Sequence, residues 1–565
     1  MRRMPLALTL VFALLALGTT PPPDYGGRFT HEAVATDHEL ASHAAAMILA
    51  RGGSAADAAA AAMLVLGVAN PVSSGFGGGG FAVYYRASDR SVSFLDFRER
   101  APAAATETMF VDRERAAPGT NPSTVGGLAV GVLGEPAGIE ALVRRFGNLP
   151  LRVVARPAIE LARRGVAPSP FVQSALDPAL AADLRRDPIL GGWLDGDAIA
   201  GRIRAPRLAQ VLASFARSGS RAIYRGPIAR AIVRDVRARG GILTEADLRA
   251  YHVVDRAPLR ETHFGLDWIT APPPSAGGAT LLASLDFLER VGIGPSSTED
   301  ALAHALLESW KGPYLDRQEA FGDPDYVDVP IAELASAERR AFRARQFDAM
   351  HARAAATYAR PLPPSGPART PDGGGTSHLC IVDREGNVAA VTTTVNLFFG
   401  ARFTAGGVVM NDEMDDFARA LGATNAFGLV SGARNLPGPG RRPVSSMTPT
   451  IVLGPDGAPR MCIGGSGGSR IPTATTQVAV RILVLGQDPL AAIAAPRVHH
   501  QAVPDVARTE ERVPASAALR AALEARGHTL GTIERVADVQ LVVRMPDGTL
   551  VAASDPRKGG RPDGR

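Results

Sequence analysis

Apolar residues recur at helical spacing through 39–50 and again through 54–63, runs rich in Ala, Leu, Met and Ile that predict packed helices between about 32 and 63. Ser54 with Asp57 three residues on predicts a capped start for the second. The period then changes, and 80–85 and 91–97 read as strands. Helical patterns punctuated by Gly and Pro dominate from Val130 to Asp255. Strand patterns return at 379–382, 388–395, 407–410, 450–452 and 539–543, with helices between them. The Pro-rich stretch 360–371 separates the two halves. It fits neither regular helix nor central strand, because Pro removes donors and fixes φ, so it predicts a flexible tether.

A chain of 565 residues with 46% hydrophobic and 21% charged content can bury a large core in one or two intimately packed units. The net charge of +5 is small for this length and the basic residues are scattered, which argues against nucleic acid as a partner. Cys380 and Cys462 both lie in apolar strand-like runs and read as buried free thiols rather than a disulfide or a metal site. At the N-terminus, Arg2 and Arg3 precede an apolar run over 5–17 and small residues around Gly18, the pattern of a secretory signal peptide over 1–18. An uncleaved signal anchor is the other reading of that segment. No later run is apolar and long enough to span a membrane, so export to the periplasm or outside the cell is expected.

The most informative position is Thr376, which follows Gly373-Gly374-Gly375 and opens an apolar strand. Taken alone, Gly-Gly-Gly before Thr reads as a loop entering a strand. If the Gly375–Thr376 bond were cut, however, Thr376 would carry both a hydroxyl nucleophile and a free α-amine. The reference pKa of such an amine, about 7.7–8.0, suits a general base.

The stretch 376–387, Thr-Ser-His-Leu-Cys-Ile-Val-Asp-Arg-Glu-Gly-Asn, continuing through Val391-Thr392-Thr393-Thr394-Val395-Asn396, closely resembles the start of the small subunit of γ-glutamyltranspeptidases. These are N-terminal-nucleophile hydrolases that cut themselves before such a Thr. Similar blocks recur from Asp37 to about Arg557. They include Asn70-Pro71-Val72-Ser73-Ser74-Gly75-Phe76-Gly77-Gly78, Asp96-Phe97-Arg98-Glu99-Arg100-Ala101-Pro102, Arg442-Pro443-Val444-Ser445-Ser446-Met447-Thr448-Pro449 and Gly467-Gly468-Ser469-Arg470.

The resemblance implies an α+β fold, a four-layer αββα sandwich made as one precursor and cut into a large subunit, 19–375, and a small catalytic subunit, 376–565. Thr376 is then the nucleophile and Thr394, two residues from Thr392 and Asn396 on one strand face, orients its hydroxyl. Asn396 binds substrate. The acidic run from Asn411 to Asp416 reads alone as a solvated turn and lacks the glycine and spacing of a calcium loop. By resemblance, Asp416 assisted by Glu413 receives the donor's α-ammonium. Arg98 takes its α-carboxylate, with Ser445 and Ser446 adding hydroxyl donors. The backbone N–H groups of Gly467 and Gly468 form the oxyanion hole.

Two departures stand out. Glu413 replaces a Gln common in bacterial members, and Phe427 stands where lid-bearing members carry a Tyr over the donor pocket. The implied reaction takes a γ-glutamyl group from glutathione or a related amide onto Thr376 and passes it to water or to an amino-acid or peptide amine. No metal or organic cofactor is implied, and the protein's own two fragments form a heterodimer. A related acylase cutting glutaryl or cephalosporin-type amides is the alternative on the same scaffold. An uncut exported binding protein is the alternative of another class.

Overall fold

The computed structural model describes residues 24–116, 121–359 and 374–565. The leader read at 1–18 and the tether at 360–371 lie outside these residues. Two seven-stranded antiparallel sheets form the centre of the molecule. One runs in the order Gly26–Phe29, Leu550–Ser554, Asp538–Arg544, Pro459–Ser466, Thr450–Leu453, Leu266–Thr270, Leu259–His263. The other runs Asp563–Gly564, Ala33–Thr36, Gly375–Val382, Val388–Asn396, Gly79–Arg86, Ser91–Phe97, Val254–Arg256.

Alternation along each strand sorts the side chains into layers. In the Gly375–Val382 strand, Cys380 and Val382 join Phe81, Val83, Ala390, Ile451, Cys462 and Val542 in a core between the sheets. Leu379 and Ile381 face the other way and pack with the helices Glu39–Leu49 and Ala55–Ala69. On the far side, Trp268, Val452, Ile463 and Leu541 pack under Gly277–Arg290, Glu299–Ala320 and Ile471–Leu483. Helix, sheet, sheet, helix is the expected four-layer order. Each fully buried Val, Leu or Ile contributes about 1.5–3 kcal/mol.

The predicted cap is present: Ser54 accepts from the Asp57 N–H while the Asp57 carboxylate accepts from the Ser54 N–H. Other expectations need correction. Residues 33–36 are a strand rather than part of a helix, and only Val408–Val409 of 407–410 is a strand, paired with Thr404–Ala405 outside the sandwich. The reading of Cys380 and Cys462 as free thiols is wrong, because the two form a disulfide with Cα atoms 5.7 Å apart. Their strands belong to different sheets, and both side chains point into the shared inner layer, where the facing of the sheets brings them together. That facing is not written in either apolar run.

The bridge closes 82 residues of sequence, and loop-closure entropy assigns a bond of that span about 4 kcal/mol. The Cys380→Ser/Cys462→Ser protein is therefore expected to unfold at markedly lower denaturant than the wild type. Chemical denaturation of the two proteins side by side checks this.

Candidate active site

Thr376 begins the inner-facing set of its strand and is 4% exposed, so it meets solvent only through the pocket beside it. Its Oγ1 donates to the carbonyl of Gly375 over 2.7 Å, and Thr394 Oγ1 donates to the same oxygen over 2.8 Å. The two hydroxyl oxygens lie 3.2 Å apart. The strand pair that carries them is in register from Ser377↔Thr393 onward, with a shift between Gly375 and Ser377. This bulge re-aims the Gly375–Thr376 peptide at Thr394. No side chain fits at Gly375, since a Cβ there would stand 2.5 Å from the Val72 carbonyl oxygen.

The block around Asn70 to Gly80 packs against the back of this strand pair. Ser74 donates to Ser377 over 3.1 Å, and the Val395 N–H donates to the Ser73 carbonyl over 3.1 Å. Gly78 lets the Thr394 carbonyl oxygen approach to where a Cβ would clash at 1.8 Å. Below Thr376 on the inner face, His378 shares a hydrogen bond with Thr392 over 2.8 Å, and burial pushes its pKa down to about 3, so the ring is neutral.

A cleft with about 280 Å³ of empty space opens on Thr376 and is lined by Arg98, Thr394, Asn396, Glu413, Asp416, Phe427, Ser445, Ser446 and Gly468. Nearly every residue singled out in the sequence thus meets in one place. Gly467 stands beside Gly468 with φ +135, a conformation open to glycine. The Gly468 nitrogen lies 3.4 Å from where a Cβ of Gly374, one residue before Gly375, would be.

Charge is concentrated at the far end of the cleft. Arg98 is 1% exposed, donates from Nη1 to Glu413, and donates from Nη2 to Asp416 over 2.6 Å. Burial works against its charge, but Glu413 and Asp416 outweigh it and push its pKa up. Backbone anchors fix this guanidinium: Nε donates to the Pro443 carbonyl over 3.3 Å, and Tyr251 holds the Arg98 carbonyl over 2.9 Å. The acidic run is a buried helical turn, Glu413–Asp416, not a solvated one. Ser123 and the Ala426 N–H hold Asp415 over 2.6 Å and 2.7 Å, and Asn425 donates to Asp416 over 3.1 Å. Ser445 Oγ accepts from the Met447 N–H over 3.0 Å, leaving its own proton to donate.

Asn396 also has positive φ, +78, and its amide donates to the Asp412 carbonyl over 3.1 Å, which ties the end of the Thr394 strand to the acidic turn. Phe427 is buried over Gly374 and Gly468, and its backbone N–H donates to Asn425 over 3.0 Å. Phe427 thus covers the glycine end of the cleft.

Sequence reasoning missed two groups of residues. Glu99 is fully buried beside Arg98 and Glu413, and burial, with Glu413 beside it, pushes its carboxyl pKa well up. Its place directly after Arg98 was the available signal. Lys558 reaches the Thr376 carbonyl and pairs with Asp37 from the other end of the chain, and no local pattern in either segment marks them.

A hydroxyl residue that follows a run of glycines, opens a strand of an αββα sandwich and faces a polar cleft is the arrangement of the N-terminal-nucleophile hydrolase class. The family model described as γ-glutamyltranspeptidase matches residues 41–564. A glutathione hydrolase proenzyme of Escherichia coli strain K12 is 35% identical over 588 aligned residues, covering 99% of this chain and 97% of that protein. Glutathione hydrolase 2 of Arabidopsis thaliana is 35% identical, covering 94% of each. In fold, the chain is similar to a cephalosporin acylase from Bacillus halodurans, with TM-score 0.79 and 24% identity over 98% of this chain and 99% of that one. The chain belongs to the γ-glutamyltranspeptidase family.

Proposed function

We propose that this chain is a self-processing γ-glutamyltransferase and glutathione hydrolase with Thr376 as its nucleophile. The observation that carries this reading is the pairing of Thr376 with a cleft whose far end holds one buried cation between two carboxylates. A γ-glutamyl donor ends in a zwitterion. It brings one positive and one negative charge, so Arg98 can turn to its α-carboxylate while Glu413 and Asp416 take its α-ammonium, and the net charge of the site is unchanged.

Maturation starts from the continuous chain. Thr376 Oγ attacks the Gly375 carbonyl carbon, the Thr394 hydroxyl stabilises the oxyanion, and the peptide nitrogen leaves with a proton as the new α-amine. Water then hydrolyses the ester, releasing Gly375 as a carboxylate. In turnover the freed amine accepts the Thr376 hydroxyl proton as Oγ attacks the γ-carbonyl of the donor, and returns it to the leaving amine. The N–H groups of Gly467 and Gly468 face the oxyanion, where one such donor typically lowers a barrier by about 2.7–4 kcal/mol. Water or an acceptor amine then cleaves the acyl ester. The halves would be 19–375 and 376–565, joined as a heterodimer.

Export fits the leader pattern and the buried Cys380–Cys462 disulfide, which oxidising compartments favour. Among the described residues no helix is long and apolar enough to cross a membrane.

The acylase alternative is separated by comparing γ-glutamyl-p-nitroanilide with glutaryl-p-nitroanilide, which lacks the α-ammonium. The γ-glutamyl compound is expected to be cleaved about 10- to 100-fold faster in kcat/KM, the scale of a lost charged hydrogen bond. Equal rates would favour the acylase.

Glu413 adds a pH signature. Burial pushes its pKa up to about 7 against the pull of Arg98. The carboxylate that attracts the ammonium is therefore lost as pH falls through about 7, and the donor KM rises on the acid side. Glu413→Gln is expected to raise KM about tenfold at pH 8 and to flatten that dependence, as KM measured across the range will show.

A further inference from the structure

Beside Thr376, and not among the residues lining the donor cleft, lies a buried lysine that the reaction scheme above does not use. Lys558 is 2% exposed. It follows Arg557, which is locked to Glu510 over 2.6 Å and 2.8 Å, and its own N–H donates to the Asp555 carbonyl over 3.1 Å. Its Nζ donates to the backbone carbonyl of Thr376 and to Ser466 Oγ over 2.9 Å, and it pairs with Asp37 Oδ2 over 2.5 Å. The ammonium is thus surrounded by three oxygens, two that accept its hydrogen bonds and one that is its charge partner. Asp37 is held in turn by the Gln540 amide over 2.7 Å.

We propose that Lys558 is the positioning residue of the nucleophile: it fixes the Thr376 carbonyl and biases the freed α-amine toward its unprotonated, proton-accepting form. The inference rests on Thr376 being the self-released nucleophile. Two physical facts carry it. The amine nitrogen and the held carbonyl share one Cα, so bond lengths keep Nζ within about 6 Å of the amine. A fixed cation at that range disfavours a second cation and lowers the amine's pKa.

Asp37 opposes this effect in part, so the pair sets the amine's proton affinity by its balance. The other charges nearby are Asp538, which bears on Asp37 and pairs with Arg535 over 3.7 Å, and the Arg98, Glu413 and Asp416 set across the cleft. The neighbouring His378 is neutral.

The two members of the pair should therefore move the acid limb of the kcat profile in opposite directions. Matured wild type, Lys558→Met, Lys558→Arg and Asp37→Asn are compared with γ-glutamyl-p-nitroanilide from about pH 5 to about pH 9. Lys558→Met is expected to shift the limb upward by about one pH unit, Asp37→Asn to shift it downward, and Lys558→Arg to leave it in place. Limbs that coincide in all four proteins, with only plateau rate or melting temperature reduced, would overturn the proposal and leave Lys558 a structural tie. If Lys558→Met fails to mature, Asp37→Asn decides, since an unchanged or upward limb contradicts it.

The amine can also be titrated without substrate, through the 15N shift of the small fragment's N-terminus in threonine-labelled protein. That readout follows the same order whether or not γ-glutamyl compounds are turned over. A failure of the γ-glutamyl assignment is thereby distinguished from a failure of this one.

Discussion

Thr376→Ala is expected to leave the chain uncut and to remove turnover of γ-glutamyl amides by on the order of 10⁶-fold, the scale seen when an enzyme loses its covalent nucleophile. One side chain performs both tasks here. Its hydroxyl already lies 2.7 Å from the Gly375 carbonyl oxygen, and Thr394 shares that oxygen. Without the hydroxyl there is no attack on Gly375, hence no free amine, and no ester in turnover. Folding is expected to survive, because the strand is held by its ladder to 388–396 and by the apolar residues 379–382, not by the threonine methyl. A denaturing gel and a γ-glutamyl-p-nitroanilide assay check both halves of this expectation. Thr376→Ser, which keeps a hydroxyl, should recover cleavage.

Arg98→Ala is expected to be the most damaging change at the donor end, lowering kcat/KM by roughly 10²–10³-fold, equivalent to about 3–4 kcal/mol. It deletes the partner for the α-carboxylate and leaves Glu413 and Asp416 buried without their cation. The sign of the stability change with pH follows from that. Stranded buried carboxyls have folded-state pKa values above their unfolded ones, so the ionised forms cost stability at high pH, and the cost disappears as pH falls through the raised folded values. The variant should lose more melting temperature at pH 8 than at pH 6, measured against wild type at each pH. Arg98→Lys keeps the charge but not the fork that spans two carboxylates, so it is expected to restore stability more than activity.

The residues that line the cleft were more legible in the sequence than the frame that holds them. Thr376, Arg98, Asp416 and the paired glycines sit in compact blocks whose order resembles a known family, and the structure gathers them around one cleft. Period and caps were readable where the chain decides locally, as at Ser54 with Asp57 and in the strand Ser91–Phe97. What was not legible depends on which segments face one another. The Cys380–Cys462 bridge exists because two sheets stack. Asp37 and Lys558 are more than 500 residues apart in sequence yet share an ion pair at the nucleophile. Leu266–Thr270 was missed for a similar reason: its two sides are covered by different layers, which removes the alternation that marks a half-exposed strand.

The central claim is that Thr376 releases itself and then carries the γ-glutamyl group. Mass spectrometry of the purified protein, quenched in acid within the first turnovers on γ-glutamyl-p-nitroanilide, tests it most directly. The account predicts two fragments, the smaller beginning at Thr376 and heavier by one γ-glutamyl unit that maps to that residue. A single uncut chain, or an unmodified small fragment while nitroaniline is being released, would contradict it.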